Sequence, residues 1–339
     1  MHVLITGVGG YIGSTLAEIL LAEGDSVTGM DRFFFGRELI ADLERDPRFR
    51  AVQKDIRDVD AGDFEGIDAV CDLAALSNDP SGEIDPRLTV AINHLGRERV
   101  ARRAKEAGVR RYLLASSCSV YGAGMRTHLD ETVSPAPISA YAKANLAAES
   151  SVLPLATANF AVTVLRQATV FGLSRRMRFD LAINLMTLNA VERGKIFVLG
   201  GGRQWRPFVH IRDTARAFVE ALAADPARIN AEVFNVGGQN AQILQLAYIV
   251  RENIPFPIDL QVVPDDPDKR DYNVAFDKIH KVLGYHARFT PADGVREIYE
   301  GLKNGQVTAN PTTYTVAWYK KILEAQQLVE SLTLNSRLL

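Results

Sequence analysis

A glycine-rich turn close to the amino terminus constrains this chain more than any other feature. The sequence opens Met1-His2-Val3-Leu4-Ile5-Thr6-Gly7-Val8-Gly9-Gly10-Tyr11-Ile12-Gly13. An apolar run, Val3 to Ile5, stops at the glycines, and apolar residues at helical spacing follow from Ile12 to Leu21. That is the pattern of strand, tight turn and helix. Backbone N–H groups at such a helix start have no intrahelical partner, and the helix dipole favours an anion there. Gly7, Gly10 and Gly13 let the backbone turn, approach a pyrophosphate and pack the helix on the strand, with Tyr11 and Ile12 in the same loop. The expectation is a dinucleotide site.

A second β-rich run, Ser26 to Met30, ends at Asp31, near the spacing of about 20 residues at which an acid meets the adenosine ribose. A carboxylate there accepts from both ribose hydroxyls and repels a 2′-phosphate, so NAD is expected rather than NADP. Arg32, next in the chain, tempers that repulsion.

The first half continues the alternation. Strands are expected at 3–6, 26–30, 50–53, 69–73, 112–115 and 161–165, and helices at 13–22, 88–107 and 141–157. This order predicts an α/β fold, a doubly wound parallel (Rossmann) sheet with ligands at the carboxyl ends of its strands. After Gly172 the rhythm loosens into segments rich in Arg, Gly and Pro, the texture of a smaller substrate-binding lobe. The expected division is 1–172 and 208–237 for the nucleotide-binding domain, 173–207 and 238–310 for the lobe, and 311–339 for a tail helix. Tyr314, Trp318 and Tyr319 in that tail either cap the lobe or join two subunits.

Composition excludes several classes. A net charge of −2 and no long basic run give no nucleic-acid footprint. No apolar stretch reaches membrane-spanning length, and no leader pattern precedes the first strand. The two cysteines, Cys71 and Cys118, do not suggest a disulfide, and no metal is expected; the chain reads as cytoplasmic.

An enzyme that oxidises an alcohol with a dinucleotide needs a group to take the hydroxyl proton. Tyr141, opening a helix in Ser139-Ala140-Tyr141-Ala142-Lys143-Ala144-Asn145, is the candidate. Ser117, in Ala115-Ser116-Ser117-Cys118-Ser119, lies at a strand end where it can bond the reacting oxygen beside that phenol.

These motifs resemble the extended short-chain dehydrogenase/reductases, in particular the NAD-dependent nucleotide-sugar epimerase/dehydratase family. The likeness covers most of residues 2–303. It rests on Thr6-Gly7-x-x-Gly10-x-x-Gly13, Asp55-Ile56-Arg57-Asp58, Leu73-Ala74-Ala75, Asn93, the serine cluster, Tyr141 and Trp205-Arg206-Pro207-Phe208-Val209-His210-Ile211-x-Asp213. The resemblance implies that Asp55 and Ile56 meet adenine, that Leu73, Ala74 and Ala75 line the cofactor, and that Ser117 and Tyr141 carry the chemistry. It also implies a homodimer through the helices at 88–107 and 141–157, and Asn93 bonded to backbone near the site.

One departure bears on mechanism. Where the family has Tyr-x-x-x-Lys, this chain has Asn145. The family lysine bonds the nicotinamide ribose and lowers the tyrosine pKa. Half-ionising a phenol of pKa about 10 at pH 7 takes roughly 4 kcal/mol of differential stabilisation. Asn145 keeps the means to bond the ribose but brings no charge. Lys143, two residues along a helix, points to another face. Three readings stay open: an enzyme working with a less acidic tyrosine, an engineered low-activity form, or a chain that binds without catalysing.

On the substrate side, the resemblance takes Arg206 and Arg270 to the phosphates of a nucleotide-diphosphate sugar, where guanidinium forks suit bidentate contacts. Arg175, Arg176 and Arg178 form a cluster for phosphate or a sugar carboxylate, or a solvated turn. Ser77, Asn78, Phe179 and Asn184 are candidates for sugar or base, against packing and capping. Cys118 is a candidate acid or base beside a transient ketone, against a buried filler; His210 reads as a packed strand-end residue.

The shared first step would oxidise a sugar C4 hydroxyl. Turning the ketone and returning hydride gives C4 epimerisation. Proton loss beside the ketone gives C3 or C5 epimerisation or dehydration, and a C6 carboxylate leaves as CO2. The family's 4,6-dehydratases carry Asp-Glu after the active-site Ser/Thr, where this chain has Cys118 and Ser119. That favours an epimerase, with a uronate decarboxylase or another dehydratase as the alternative and a non-catalytic NAD-binding sensor as a further one.

Overall fold

The computed structural model describes residues 1–122, 128–264, 271–334 and 337. The first strand, β1 (His2–Thr6), runs into the glycine turn and α1 (Tyr11–Ala22). After it come β2 (Ser26–Asp31), β3 (Phe49–Gln53), β4 (Ala69–Asp72), β5 (Arg111–Ser117) and β6 (Ala161–Gln167). The remaining strands are β7 (Thr169–Phe171), β8 (Lys195–Val198), β9 (Trp205–His210), β10 (Glu232–Val236), β11 (Gln239–Gln242) and β12 (Asp259–Val262).

Seven strands form one parallel sheet in the order β10-β6-β5-β4-β1-β2-β3. Both faces are covered, so β1 reads as a continuous apolar run rather than an alternating one. Val3 and Ile5 pack on one face with Leu16 and Leu20 of α1 and Phe218 of the helix Ile211–Ala223. Leu4 packs on the other with Val100, Ala104, Ala148 and Val152. The strand order reverses between β1 and β4, and a crevice opens outside their carboxyl ends. The doubly wound sheet expected from the alternation is present. Beyond it lie a three-stranded sheet, β11-β9-β7, and a parallel pair, β12-β8.

Two expected helices come out differently. The run at 88–107 is regular only in parts: a short helix Pro86–Val90, a wide π-type turn over Ala91–Gly96, and then Arg97–Glu106. Inside the turn the buried Asn93 accepts from Leu76 N at 2.8 Å and donates to Leu76 O at 3.0 Å, the backbone-bonding role the sequence assigned it. An inserted residue of this kind rotates the next helical segment, and π-turns gather at functional sites. The run at 141–157 is helical over Ala140–Val152 and then tightens to a 3-10 turn, Leu153–Leu155, because Pro154 has no N–H to continue the ladder.

Candidate functional site

A cavity of about 960 Å³ occupies the crevice. Its walls include the glycine turn, Asp31, Asp55, Leu73 to Ala75, Ser117 and Tyr141. Gly7 has φ of 74°, and a Cβ on it would meet Ala74 N at 2.9 Å; a Cβ on Gly13 would meet Gly7 O at 2.2 Å. Only glycine fits both places. The amino end of α1 has no side-chain cap, and Tyr11, Ile12 and Gly13 line the cavity. Uncapped helix N–H groups facing a cavity fit a pyrophosphate.

Asp31 sits at the end of β2, where its carboxylate accepts from Gly9 N at 2.9 Å and Phe33 N at 2.7 Å. Burial raises its pKa, while the Phe33 and Gly9 N–H groups and Arg176 pull the other way. Each carboxylate oxygen accepts more than one hydrogen bond, so capacity for ribose hydroxyls is left. Arg32 does not temper it as the sequence suggested: its guanidinium turns to Asp55, 2.7 Å away. Burial works to raise the Asp55 pKa, but hydrogen bonds from Arg57 and Arg32 outweigh burial and hold it well below the usual carboxylate range. The uncapped helix, the two carboxylates and the glycine turn together form a set that fits NAD.

At the other end, Ser139 caps the helix Ala140–Val152 by accepting from Ala142 N at 3.0 Å, which places Tyr141 in its first turn facing the cavity. Ser117 stands on the same cavity wall. It accepts from Ser119 Oγ at 2.9 Å. Burial raises the Tyr141 pKa, and Asp79 adds to the rise; Arg97, Ser117 and Arg178 oppose it. The helix itself is pinned to the sheet by a buried ion pair. Glu149 meets Arg166 of β6 at 2.7 Å, and Ser116 also donates to Glu149.

Several sequence candidates are placed elsewhere. Cys118 is 1% exposed, its Sγ is 3.3 Å from Arg166 O, and burial pushes its thiol pKa up, so it is the core filler rather than an acid or base. Asn184 is buried and does not line the cavity. It donates to Tyr11 OH (3.0 Å) and Arg178 O (2.9 Å) and accepts from Gly172 N (3.1 Å), a structural clamp away from the cavity. Asn145 is also buried off the cavity: its Nδ2 donates to Tyr141 O at 2.9 Å and its Oδ1 accepts from Arg97 Nη1 at 2.8 Å. It therefore does not take over the ribose contacts.

Ser77, Asn78, Arg178 and Arg206 do line the cavity. Arg178 lies across Asp180, with contacts of 3.1 and 2.8 Å, and reaches Ser77 Oγ at 3.2 Å. Asn78 donates to Asp180 at 2.9 Å and caps the short helix Asp79–Gly82. Of the arginine cluster, Arg175 faces away and pairs with Asp42 and Glu18. Phe179 is core, and His210 is fully buried with Nε2 2.8 Å from Glu297. Arg270 lies outside the described residues.

Of three further wall residues, Arg97 had no role in the sequence reading, and Arg176 and Tyr319 had alternatives left open. Arg97 is nearly inaccessible yet borders the cavity. Its charged neighbours in the sequence, Arg97-Glu98-Arg99, make it look like one more solvated helix position. Arg176 sits in a stretch that also reads as a surface turn, but its guanidinium lies 3.7 Å from the centre of the Phe35 ring. Tyr319 comes from the helix Thr315–Leu332, which is tied down where Trp318 Nε1 donates to Phe34 O at 2.6 Å; Tyr319 packs on Phe34 and Phe35 and walls the cavity with Ile322 and Leu323. The aromatic tail thus closes the side of the crevice next to β2.

Comparison with known proteins places the chain in a family. The model of the NAD dependent epimerase/dehydratase family matches residues 3–237. A dTDP-glucose 4,6-dehydratase of Actinoplanes sp. is 30% identical over 94% of this chain and 98% of its own length. UDP-glucuronic acid decarboxylase 2 of Arabidopsis thaliana is 26% identical over 94% of this chain and 73% of its own. Among solved structures, UDP-glucuronic acid 4-epimerase from Bacillus cereus, in complex with UDP-glucuronic acid and NAD, superposes with a TM-score of 0.80. It is 26% identical, covering 90% of this chain and 99% of that one. Among the described residues no helix is long and apolar enough to cross a membrane.

Proposed function

This chain belongs to the NAD dependent epimerase/dehydratase family, whose cofactor is NAD, and on that premise we propose that it is a nucleotide-sugar epimerase acting through transient oxidation of a sugar hydroxyl, C4 favoured. The observation that carries this reading is that Tyr141 and Ser117 line one cavity together with the uncapped start of α1. NAD, when bound, accepts hydride from the sugar carbon and gives it back. Tyr141 takes the hydroxyl proton as the carbon is oxidised and returns it afterwards. Ser117 holds the same oxygen and keeps it in line with the phenol. Arg206, next to Tyr272 with its guanidinium 5.6 Å from the ring centre, holds the diphosphate.

The choice of epimerisation over 4,6-dehydration rests on the two residues after Ser117. Cys118 is turned into the core and Ser119 is a hydroxyl, so neither offers the carboxylic acid that expels a C6 hydroxyl. A homodimer belongs to the same reading; Val90 and Leu95 are exposed apolar residues on the segment expected to form it.

The test is incubation with NAD and a panel of UDP-, dTDP-, CDP- and GDP-sugars in D2O, followed by NMR. Inversion at C4 without deuterium uptake supports the reading. Loss of CO2 from a uronate assigns decarboxylation instead. Tight binding with no turnover at any pH would make the chain a sensor.

A further inference from the structure

The missing lysine has a structural answer. Arg97 opens the helix that follows the π-turn, and its side chain is 1% exposed. Its Nη1 donates to Asn145 Oδ1 at 2.8 Å, and its Nη2 donates to Ala115 O at 2.8 Å and Asp72 O at 3.2 Å. The guanidinium thus sits at the carboxyl ends of β4 and β5, under the helix that carries Tyr141, and it borders the same cavity as the phenol. Asn145 links the two, since its Nδ2 donates to the Tyr141 carbonyl. The remaining donor, Nε, is buried without a hydrogen-bond partner and lies 3.9 Å from Asp72 Oδ1.

We infer that Arg97 is the positioning residue that supplies, from a neighbouring helix, the fixed positive charge beneath Tyr141 that the family's lysine supplies from position 145. This rests on the proposed function above. Asparagine at 145 then has a reason. A lysine there would set an ammonium against a buried guanidinium, whereas the amide accepts from Arg97 and donates to the backbone of Tyr141. Arginine also suits the place better than lysine would, because its fork can bond three acceptors at once and it never deprotonates.

Among the described residues, the charged groups around the phenol are few. Asp79 from the helix Asp79–Gly82 opposes ionisation; Arg97 and Arg178 favour it. Arg178 is already matched by Asp180. Asp72 faces Arg97 from β4 at 3.9 Å; burial raises its pKa, while Arg97 and the hydrogen bonds it accepts from Thr6 and Tyr112, each at 2.5 Å, favour its charged form. Arg178 touches its carboxylate at 2.8 Å whereas Arg97 meets Asp72 only at 3.9 Å, so of these two cations beside Tyr141 Arg97 is the less closely compensated.

The experiment is a tyrosinate absorbance titration of the NAD-bound protein, with Tyr141→Phe as the blank, run beside the pH profile of kcat. Arg97→Gln should raise the Tyr141 pKa by at least about one unit, a tenfold loss of phenolate at a given pH. Asn145→Lys alone should not improve the wild-type protein. In the Arg97→Gln background the same change should bring the titration back down. Arg97→Lys keeps the charge and serves if the glutamine variant does not fold; it should hold the pKa near the wild-type value. An unchanged Tyr141 titration in Arg97→Gln overturns the inference, as does a Tyr141 pKa in Arg97→Lys raised by a unit or more. Failure to turn over any nucleotide sugar would count against the proposed function, while the titration would still read the charge of Arg97.

Discussion

Replacing Gly13 by alanine is the sharpest small perturbation of the cofactor site. An added Cβ would lie 2.2 Å from Gly7 O, with Val8 Cα at 2.9 Å. Carbon–oxygen contacts relax only beyond about 3 Å, so the turn and the helix start must part by roughly 1 Å. The N–H groups at the start of α1 then no longer converge on one point. Moving a charge-assisted hydrogen bond out by that much forfeits most of it, about 1.5–3 kcal/mol each. Losing two gives about 3–6 kcal/mol, or roughly a hundredfold to ten-thousandfold weaker binding of NAD. Calorimetric titration with NAD reads this directly. Thermal melting gives an independent check: NAD at 100 times the wild-type Kd stabilises the wild type by about 2.7 kcal/mol, and should leave the variant almost unmoved. If Gly13→Ala folds and binds NAD as tightly as the wild type, the pyrophosphate is not held at this turn.

The same structure sets two further outcomes. Arg166→Met removes the partner of Glu149, whose side chain is 3% exposed, and should cost about 3–5 kcal/mol in a urea titration; adding Glu149→Leu should recover most of it, and a single variant as stable as wild type would refute a structural role for the pair. Burial pushes the Tyr319 phenol up to about 12, with Asp31 adding and Arg176 opposing. Its folded pKa thus exceeds the unfolded value near 10, so the stability it contributes is whole below pH 10 and is lost as pH rises from there towards 12. Tyr319→Phe should match the wild type below pH 9 and lose less stability above pH 10; parallel curves across that window would contradict the assignment.

Much of the fold was legible because its signals are local. The apolar runs of β1 and β4 and the glycines of the first turn need no tertiary information. The hidden parts depended on contacts between distant segments. The helix expected over 88–107 is broken by a π-turn, since Asn93 finds the backbone of Leu76, and periodicity alone carries no sign of that. Asp31, placed by its spacing from the glycines, Ser117 and Tyr141, placed at a strand end and a helix start, and Asp55, placed by the family resemblance, all stand on the cavity wall. Asn184 and Cys118 do not, because side-chain chemistry at a strand or helix position says nothing of which face is buried. Arg97 was hidden for the opposite reason: a charged residue in a charged stretch reads as solvated, and only the fold turns it inward. The tail showed its aromatics in the sequence, and the structure adds where they press.

The central claim is that the Tyr141 phenol stands beside the reacting carbon of a nucleotide sugar. A crystal structure of the complex with NAD and a nucleotide sugar tests this most directly. The account predicts the phenol oxygen and Ser117 Oγ both within hydrogen-bond distance of one sugar hydroxyl, with the nicotinamide ring against that carbon. A sugar held with every hydroxyl out of reach of Tyr141, or NAD bound outside the β1–β4 crevice, would contradict it.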